Sequence, residues 1–188
     1  PGDVENIRLG TTVATNAILE RKGATVGYVT TNGFKDIPFI QRGNRRSHYD
    51  ITWIKPKPLV KRRHCYEISE RVMANGEVEI PLDEPGVRAL AKQIKKDGEI
   101  EALSVNFLFS YVSPDHERRV KEILAEELPD IPVSISYEVL PKWKEYERAS
   151  TTIADAYIKP IVGKQVRNIR KRFVENGITD HIVVIKSN

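Results

Sequence analysis

Two short stretches of this sequence hold residue types that can grip an anion or move a proton. The first is Gly10-Thr11-Thr12, where a strand-like run from Ile7 to Gly10 hands over to a helical pattern beginning at Val13. A glycine there lets a ligand approach the backbone. The two hydroxyls and the free N–H groups of a first helical turn can then donate to a phosphate or an oxyanion. The same residues also read as a plain helix cap, with Thr11 or Thr12 accepting from first-turn amides. The second stretch is Glu145-Tyr146-Glu147-Arg148-Ala149-Ser150-Thr151-Thr152, at the head of a long helical pattern. Glu145 and Arg148 are its candidate catalytic residues. Acids in a first turn equally suit the helix dipole, and Arg148 equally suits a structural ion pair. Three consecutive hydroxyl residues are poor helix formers, which invites a reason other than propensity.

Other reactive side chains carry less. His48, His64, His116 and His181 show no metal-ligand spacing, so no metal site is expected; His116 reads as a surface residue at a helix start. Cys65 precedes a strand with no histidine partner in the sequence around it and reads as structural. No Walker A loop, dinucleotide fingerprint or nucleophile elbow occurs. From Arg42 to Arg63 the chain carries Arg42, Arg45, Arg46, Lys55, Lys57, Lys61, Arg62 and Arg63 against Asp50 alone. Such a segment can receive phosphate, nucleic acid or an acidic partner surface, or can simply be a solvated loop.

The elements that must hold these residues follow from periodicity. A helix is expected over Val13–Arg21 with Gly23 as its stop, then a buried strand over Thr25–Thr30. Phe34–Phe39 reads as one helical turn cut short by Pro38. Residues 41–64 read as irregular. Tyr66–Val72 and Val78–Leu82 form a hairpin around Ala74-Asn75-Gly76. Pro85 opens a helix to about Lys96, and Ile100–Phe109 is an apolar strand. An amphipathic helix starts at Asp115, and Pro132–Val139 is a strand. Glu145–Glu175 is helical, kinked or split at Pro160 and capped by Gly177, before a last strand at His181–Ile185. This alternation predicts an α/β fold, a mixed and mostly parallel sheet with flanking helices.

The 188 residues carry a net charge of +4, and 40% are hydrophobic, as in a globular α/β domain. No run approaches the ~18 apolar residues of a membrane span. With no leader pattern and a single cysteine, a cytoplasmic setting is expected. The chain opens without Met and stops within an apolar, strand-like run, so we expect both ends to be boundaries inside a longer protein.

Four ordered blocks resemble a known family. Ile7-Arg8-Leu9-Gly10-Thr11-Thr12-Val13-Ala14-Thr15-Asn16-Ala17-Ile18-Leu19-Glu20-Arg21-Lys22-Gly23 is similar to the GTTVATNA-LLER-G signature of the hydantoinase A/5-oxoprolinase family. Tyr28 to Asp36 resembles its VTT-GF-D stretch. Leu108-Phe109-Ser110-Tyr111 with Pro114-Asp115-His116-Glu117 resembles its LFSY--P-HE stretch, and Glu138 to Thr152 its EV-P---EYER-STT block. Leu9 departs from the histidine found in many members.

That resemblance implies an N-terminal region spanning 1–188, in which about 179–188 begins the following ATPase-type region. It implies part of an actin-like/sugar-kinase/Hsp70 (ribonuclease H-like) fold. It also implies ATP and Mg²⁺ as cofactors and a hydantoin, N-methylhydantoin or 5-oxoproline ring as substrate, opened after phosphorylation of the amide oxygen. Gly10, Thr11 and Thr12 would bind the cofactor, together with Ser187 and Asn188, which resemble the opening of a Ser-Asn-Gly-Gly loop. A second hydantoinase-type subunit or domain is the expected partner. The basic segment departs from the family pattern and keeps the ATP-using subunit of an acetophenone-type carboxylase open. A nucleic-acid module using residues 42–63, with Tyr49 and Trp53 for stacking, is the distant third reading. The balanced charge elsewhere and the lack of any nucleic-acid signature argue against it.

Overall fold

A computed structural model describes residues 7–44, 49–178 and 182–185. Its centre is a four-stranded, all-parallel sheet in the order β3-β2-β6-β7, formed by Cys65–Ile68, Val26–Thr31, Ala102–Asn106 and Val133–Ile135. A second, two-stranded parallel sheet pairs β1 (Ile7–Gly10) with β8 (Ile182–Ile185). The hairpin β4–β5 (Arg71–Val72 and Val78–Ile80) is the antiparallel insertion.

Alternation along the strands builds two cores. On one sheet face Val29, Leu103, Val105 and Ile135 meet α3 (Glu84–Asp97) and α4 (Asp115–Glu127) through Val87, Ala91, Val120 and Ile123. On the other, Val26, Tyr28 and Ala102 meet α6 (Glu145–Glu175) through Ala149, Ile153, Ala156 and Tyr157. Small side chains on both partners bring this helix close to the strands. The short α1 (Val13–Leu19) also packs on α6, and α2 (Ile37–Ile40) lies against it too.

Several local expectations change. Pro38 opens α2 rather than ending a turn, because a first-turn proline lacks only an N–H that had no partner. The run 66–72 splits: β3 joins the main sheet, and only β4 belongs to the hairpin. The apolar run 100–109 forms a strand only over Ala102–Asn106, and 132–139 shortens to β7 followed by α5 (Ser136–Val139). Helix α1 ends at Leu19, with Arg21 at φ 56°, before reaching Gly23. Gly23 instead lies against the Tyr157 ring, which an added Cβ would overlap. Helix α6 runs unbroken through Pro160, held by packing along its first half although the proline gives up one internal hydrogen bond. Gly177, at φ 67°, follows its end as expected.

Candidate functional site

All four strands of the central sheet point one way, so their carboxyl ends share one edge, the edge where open α/β sheets bind ligands. The chain steps from β2 outward to β3 and then crosses back to β6, which makes the β2–β6 boundary the point of reversal. That boundary is stitched shut. Thr30 Oγ1 donates to the Asn106 carbonyl at 2.8 Å, and the Leu108 amide donates to Thr31 Oγ1 at 3.0 Å. Thr31 in turn donates to the buried Glu70 carboxylate, and His116 Nδ1 lies 2.8 Å from the other Glu70 oxygen.

Beside it Glu117 is wholly buried. It accepts from the Phe107 amide (2.9 Å), the Ser136 hydroxyl (2.6 Å) and the Tyr137 amide (2.9 Å). Ser110 lies 3.0 Å from Ser136. Burial pushes the Glu117 carboxyl above its ordinary range, against the pull of those donors. One carboxylate thus ties the loops that follow β6 and β7 together. The loop after β6 also holds Phe109 at φ 54°, a sparsely populated conformation for a bulky residue.

Arg148 completes this edge from α6, and it does so from inside. The side chain is fully buried; Nε donates to Asn106 Oδ1 (3.1 Å), one terminal nitrogen to the Phe107 carbonyl (2.8 Å) and the other to the Lys142 carbonyl (3.2 Å). Its guanidinium also lies 5.3 Å from the centre of the Tyr111 ring. Burial draws its pKa down. The expected structural carboxylate pair is absent among the described residues; neutral acceptors take its place. Glu145 is half-buried and makes no direct ion pair with Arg148, although its charge acts on the guanidinium, while Glu147 pairs with Arg42. The three neighbouring hydroxyls are accounted for by the helix itself. Ser150 and Thr151 donate to the Glu147 carbonyl, and Thr152 to that of Arg148.

The Gly10-Thr11-Thr12 group stands elsewhere. Thr11 Oγ1 reaches Gln165 at 3.4 Å, roughly 17 residues along α6 from Arg148, which is about 26 Å at 1.5 Å per residue. The two candidate groups therefore do not converge within these residues. Thr12 holds the cap position of α1 but makes no side-chain cap bond; only Thr11 Oγ1 accepts, weakly, from the Val13 amide at 3.3 Å. The cap reading thus falls short for Thr12, whose hydroxyl among the described residues accepts only from the Asn16 side-chain Nδ2, at 3.5 Å. A Cβ on Gly10 would meet nothing within 4 Å among the described residues, so no packing there demands glycine. Gly10 is the register partner of Ile185, at the carboxyl ends of both strands. Ser187 and Asn188 lie outside the described residues, as do Arg45, Arg46, His48 and His181. Next to α1 an open groove of 630 Å³ is lined by Val13, Lys164, Gln165, Asn168 and Arg172 among others.

Sequence reasoning missed the Glu70–His116–Thr31 chain and the Glu117 cluster. His116, expected at the surface, leaves 14% of its side chain exposed because Glu70 draws it in. Thr31, Ser110, His116 and Glu117 all sit in the quoted blocks, but an acid in the first turn of a helix carries no local sign of burial. Cys65 is half-buried, and burial pushes its thiol up to about 12. Among the described residues no three His, Cys, Asp or Glu side chains gather as a metal site would, and no helix is long and apolar enough to cross a membrane.

Comparison with known proteins places the chain. Residues 1–128 match the family model described as the hydantoinase/oxoprolinase N-terminal region. The chain is 33% identical to the caprolactamase subunit alpha of Pseudomonas jessenii, over 95% of this chain and 26% of the relative. The crystal structure of the ATP-dependent caprolactamase from the same organism superposes with a TM-score of 0.85, covering 93% of this chain and 26% of that one. The acetophenone carboxylase gamma subunit of Aromatoleum aromaticum is 36% identical, over 83% of this chain and 23% of the relative. The 5-oxoprolinase of Saccharomyces cerevisiae is 34% identical, over 89% of this chain and 15% of the relative. The chain thus spans about a quarter or less of the length of these relatives.

Proposed function

Because the chain belongs to the hydantoinase/oxoprolinase family, we propose that it forms part of the ATP-handling half of an ATP-dependent cyclic-amide hydrolase. In this reading it is part of an actin-like, ribonuclease H-like ATPase fold, cytoplasmic, and works with a second hydantoinase-type subunit or domain. Residues from about 179 onward begin the next ATPase-type region. The observation that carries the reading is the match, over nearly the whole chain in sequence and fold, to a lactam-opening enzyme described as ATP-dependent. ATP, with Mg²⁺ offsetting its charge, would supply the phosphoryl group that turns a poor amide electrophile into one that water can open.

This chain's own part is to hold phosphate. Gly10 has open space on its Cβ side, which suits close approach of a ligand to the backbone. Thr11 and Thr12 offer hydroxyls, and the amides of Ala14 and Thr15 fall in the first turn of α1, where a helix leaves N–H groups without internal partners. Lys164 and Arg172 add positive charge in the adjoining groove. Ser187 and Asn188 are proposed to join this group. At the other edge, Glu145 is proposed to face substrate, and Arg148 to act by positioning the loop after β6.

The test is phosphate release by the full-length protein with lactams, hydantoins and aryl ketones. Thr12→Ala should lower kcat/KM by roughly tenfold to a hundredfold, as loss of a charge-assisted hydrogen bond does. Since Thr12 makes no cap bond, its stability should change by less than about 0.5 kcal/mol. A variant that turns over normally removes Thr12 from the site. The 36% identity to an acetophenone carboxylase subunit supports a second reading, in which ATP use depends on bicarbonate and an aryl ketone.

A further inference from the structure

We propose that the face between α2, the segment 55–59 and the first turns of α6 docks an acidic protein segment that inserts one apolar side chain. A pocket of 160 Å³ opens there, walled by Pro38, Pro56, Pro58 and Tyr146 over a floor of Leu59 and Ile153. Pockets for cofactor-sized ligands run to about 300–1,000 Å³. This one matches a single large aliphatic or aromatic side chain, the size of an interface anchor.

The pocket is preformed. Gln41 donates from its side chain to the Pro56 carbonyl at 2.8 Å, and Lys55 to the Ile40 carbonyl at 2.8 Å. Arg21 clamps the carbonyls of Lys57 (2.9 Å) and Pro58 (3.2 Å). Three prolines and four side-chain bonds leave little to be ordered on binding. In the chain segments that supply the pocket wall or adjoin it, Ile40, Ile51 and Ile54 are 58%, 94% and 82% exposed. Isoleucines this exposed in the segments that build a ready pocket are apolar surface that a partner would cover.

Charge selects the partner. The described part of the segment from Arg42 to Arg63 carries Arg42, Lys55, Lys57, Lys61, Arg62 and Arg63 against Asp50, so its complement is acidic. It does not suit nucleic acid as well. Arg42, Arg62 and Arg63 are held by Glu147, Asp36 and Glu99, which leaves Lys55 and Lys57 without a carboxylate among the described residues flanking the pocket. Two ammonium groups without a carboxylate, one of them anchored on the Ile40 carbonyl, and an apolar hole fit a peptide better than a phosphate backbone.

Fluorescence anisotropy on the full-length protein tests this with three labelled probes. They are a nine-residue Asp/Glu peptide with one central leucine, the same peptide with alanine there, and a nine-residue oligothymidylate. The leucine peptide should bind at least about tenfold more tightly than the alanine peptide, the gain expected from burying that side chain. Ser150→Leu, which fills the pocket from its rim, should abolish the difference while leaving the melting temperature unchanged. Lys57→Glu should weaken both peptides. Equal binding of the two peptides overturns the proposal. So does a preference that survives Ser150→Leu, or oligothymidylate binding as tight as the leucine peptide.

Discussion

Arg148 offers the sharpest test of how the carboxyl edge of the central sheet is held. Replacing it with Met keeps a long side chain but removes three donors at once. Asn106 Oδ1 and the Phe107 carbonyl are then left buried without their partner, and the Lys142 carbonyl loses its own. Stranding a buried acceptor costs about 1–3 kcal/mol. The wider loss, with Glu117 deprived of a nearby positive charge, should reach about 3–5 kcal/mol. In a chain of this size each kcal/mol shifts the melting temperature by about 2–4 °C, so a fall of about 6–20 °C is expected. Circular dichroism melting of the 188-residue chain reads this directly, and amide exchange over β6 should accelerate with it. Arg148→Lys keeps the charge but can satisfy only part of the three-way geometry, so it should fall between wild type and Met. A Met variant that melts within about 2 °C of wild type, while the full-length enzyme loses kcat, would refute the reasoning and return Arg148 to the chemistry.

Three further outcomes follow from side chains with a single clear environment. Burial raises the Glu117 pKa, so the folded state holds that proton more tightly than the unfolded chain. Its contribution to stability is therefore full below the ordinary carboxylate range and lost as pH rises through the higher folded value. Glu117→Gln should flatten this part of the urea-midpoint profile above about pH 4.3; a slope equal to wild type speaks against the assignment. Cys65, with its thiol pushed up to about 12 and donating to the Lys61 carbonyl at 3.6 Å, should react with iodoacetamide at pH 8 at least about a hundredfold more slowly than free cysteine. Comparable rates would count against that environment. Gly23→Ala should cost about 1–3 kcal/mol because its Cβ overlaps the Tyr157 ring, whereas Gly10→Ala should leave the melting curve of this chain where it was. Equal melting of the two variants would contradict the packing described for Gly23.

What could be read from the residues was whatever periodicity and local chemistry express. Helices α3 and α4 and the strand pattern of an α/β fold are legible because their apolar spacing records which face is buried. The proline that opens α3, the glycine that stops it and the glycine after α6 are local and equally legible. The split of 66–72 between two sheets was not, because register belongs to the strand partner and not to the strand. Nor was the short β7, where an apolar run ends once Ser136 turns to meet Glu117. In the sequence Glu117 and Arg148 have the spacing of ordinary charged residues at helix starts. Only the tertiary fold takes both out of water.

The same fold divides the work of the signature blocks. Residues from three of them, Thr31, Glu117 and Arg148, meet at one sheet edge and lock it. Those of the fourth, Gly10 to Thr12, stand further along α6, where among the described residues Gly10 has open space on its Cβ side. A network whose donors and acceptors are already matched has little left to offer a ligand. A glycine that no neighbour among the described residues requires, followed by a helix start whose hydroxyls make only long bonds of 3.3–3.5 Å, keeps its capacity. The chemistry proposed for this family region is therefore to be sought at Gly10–Thr12, with the Arg148 edge serving as the rigid base from which α6 extends toward it.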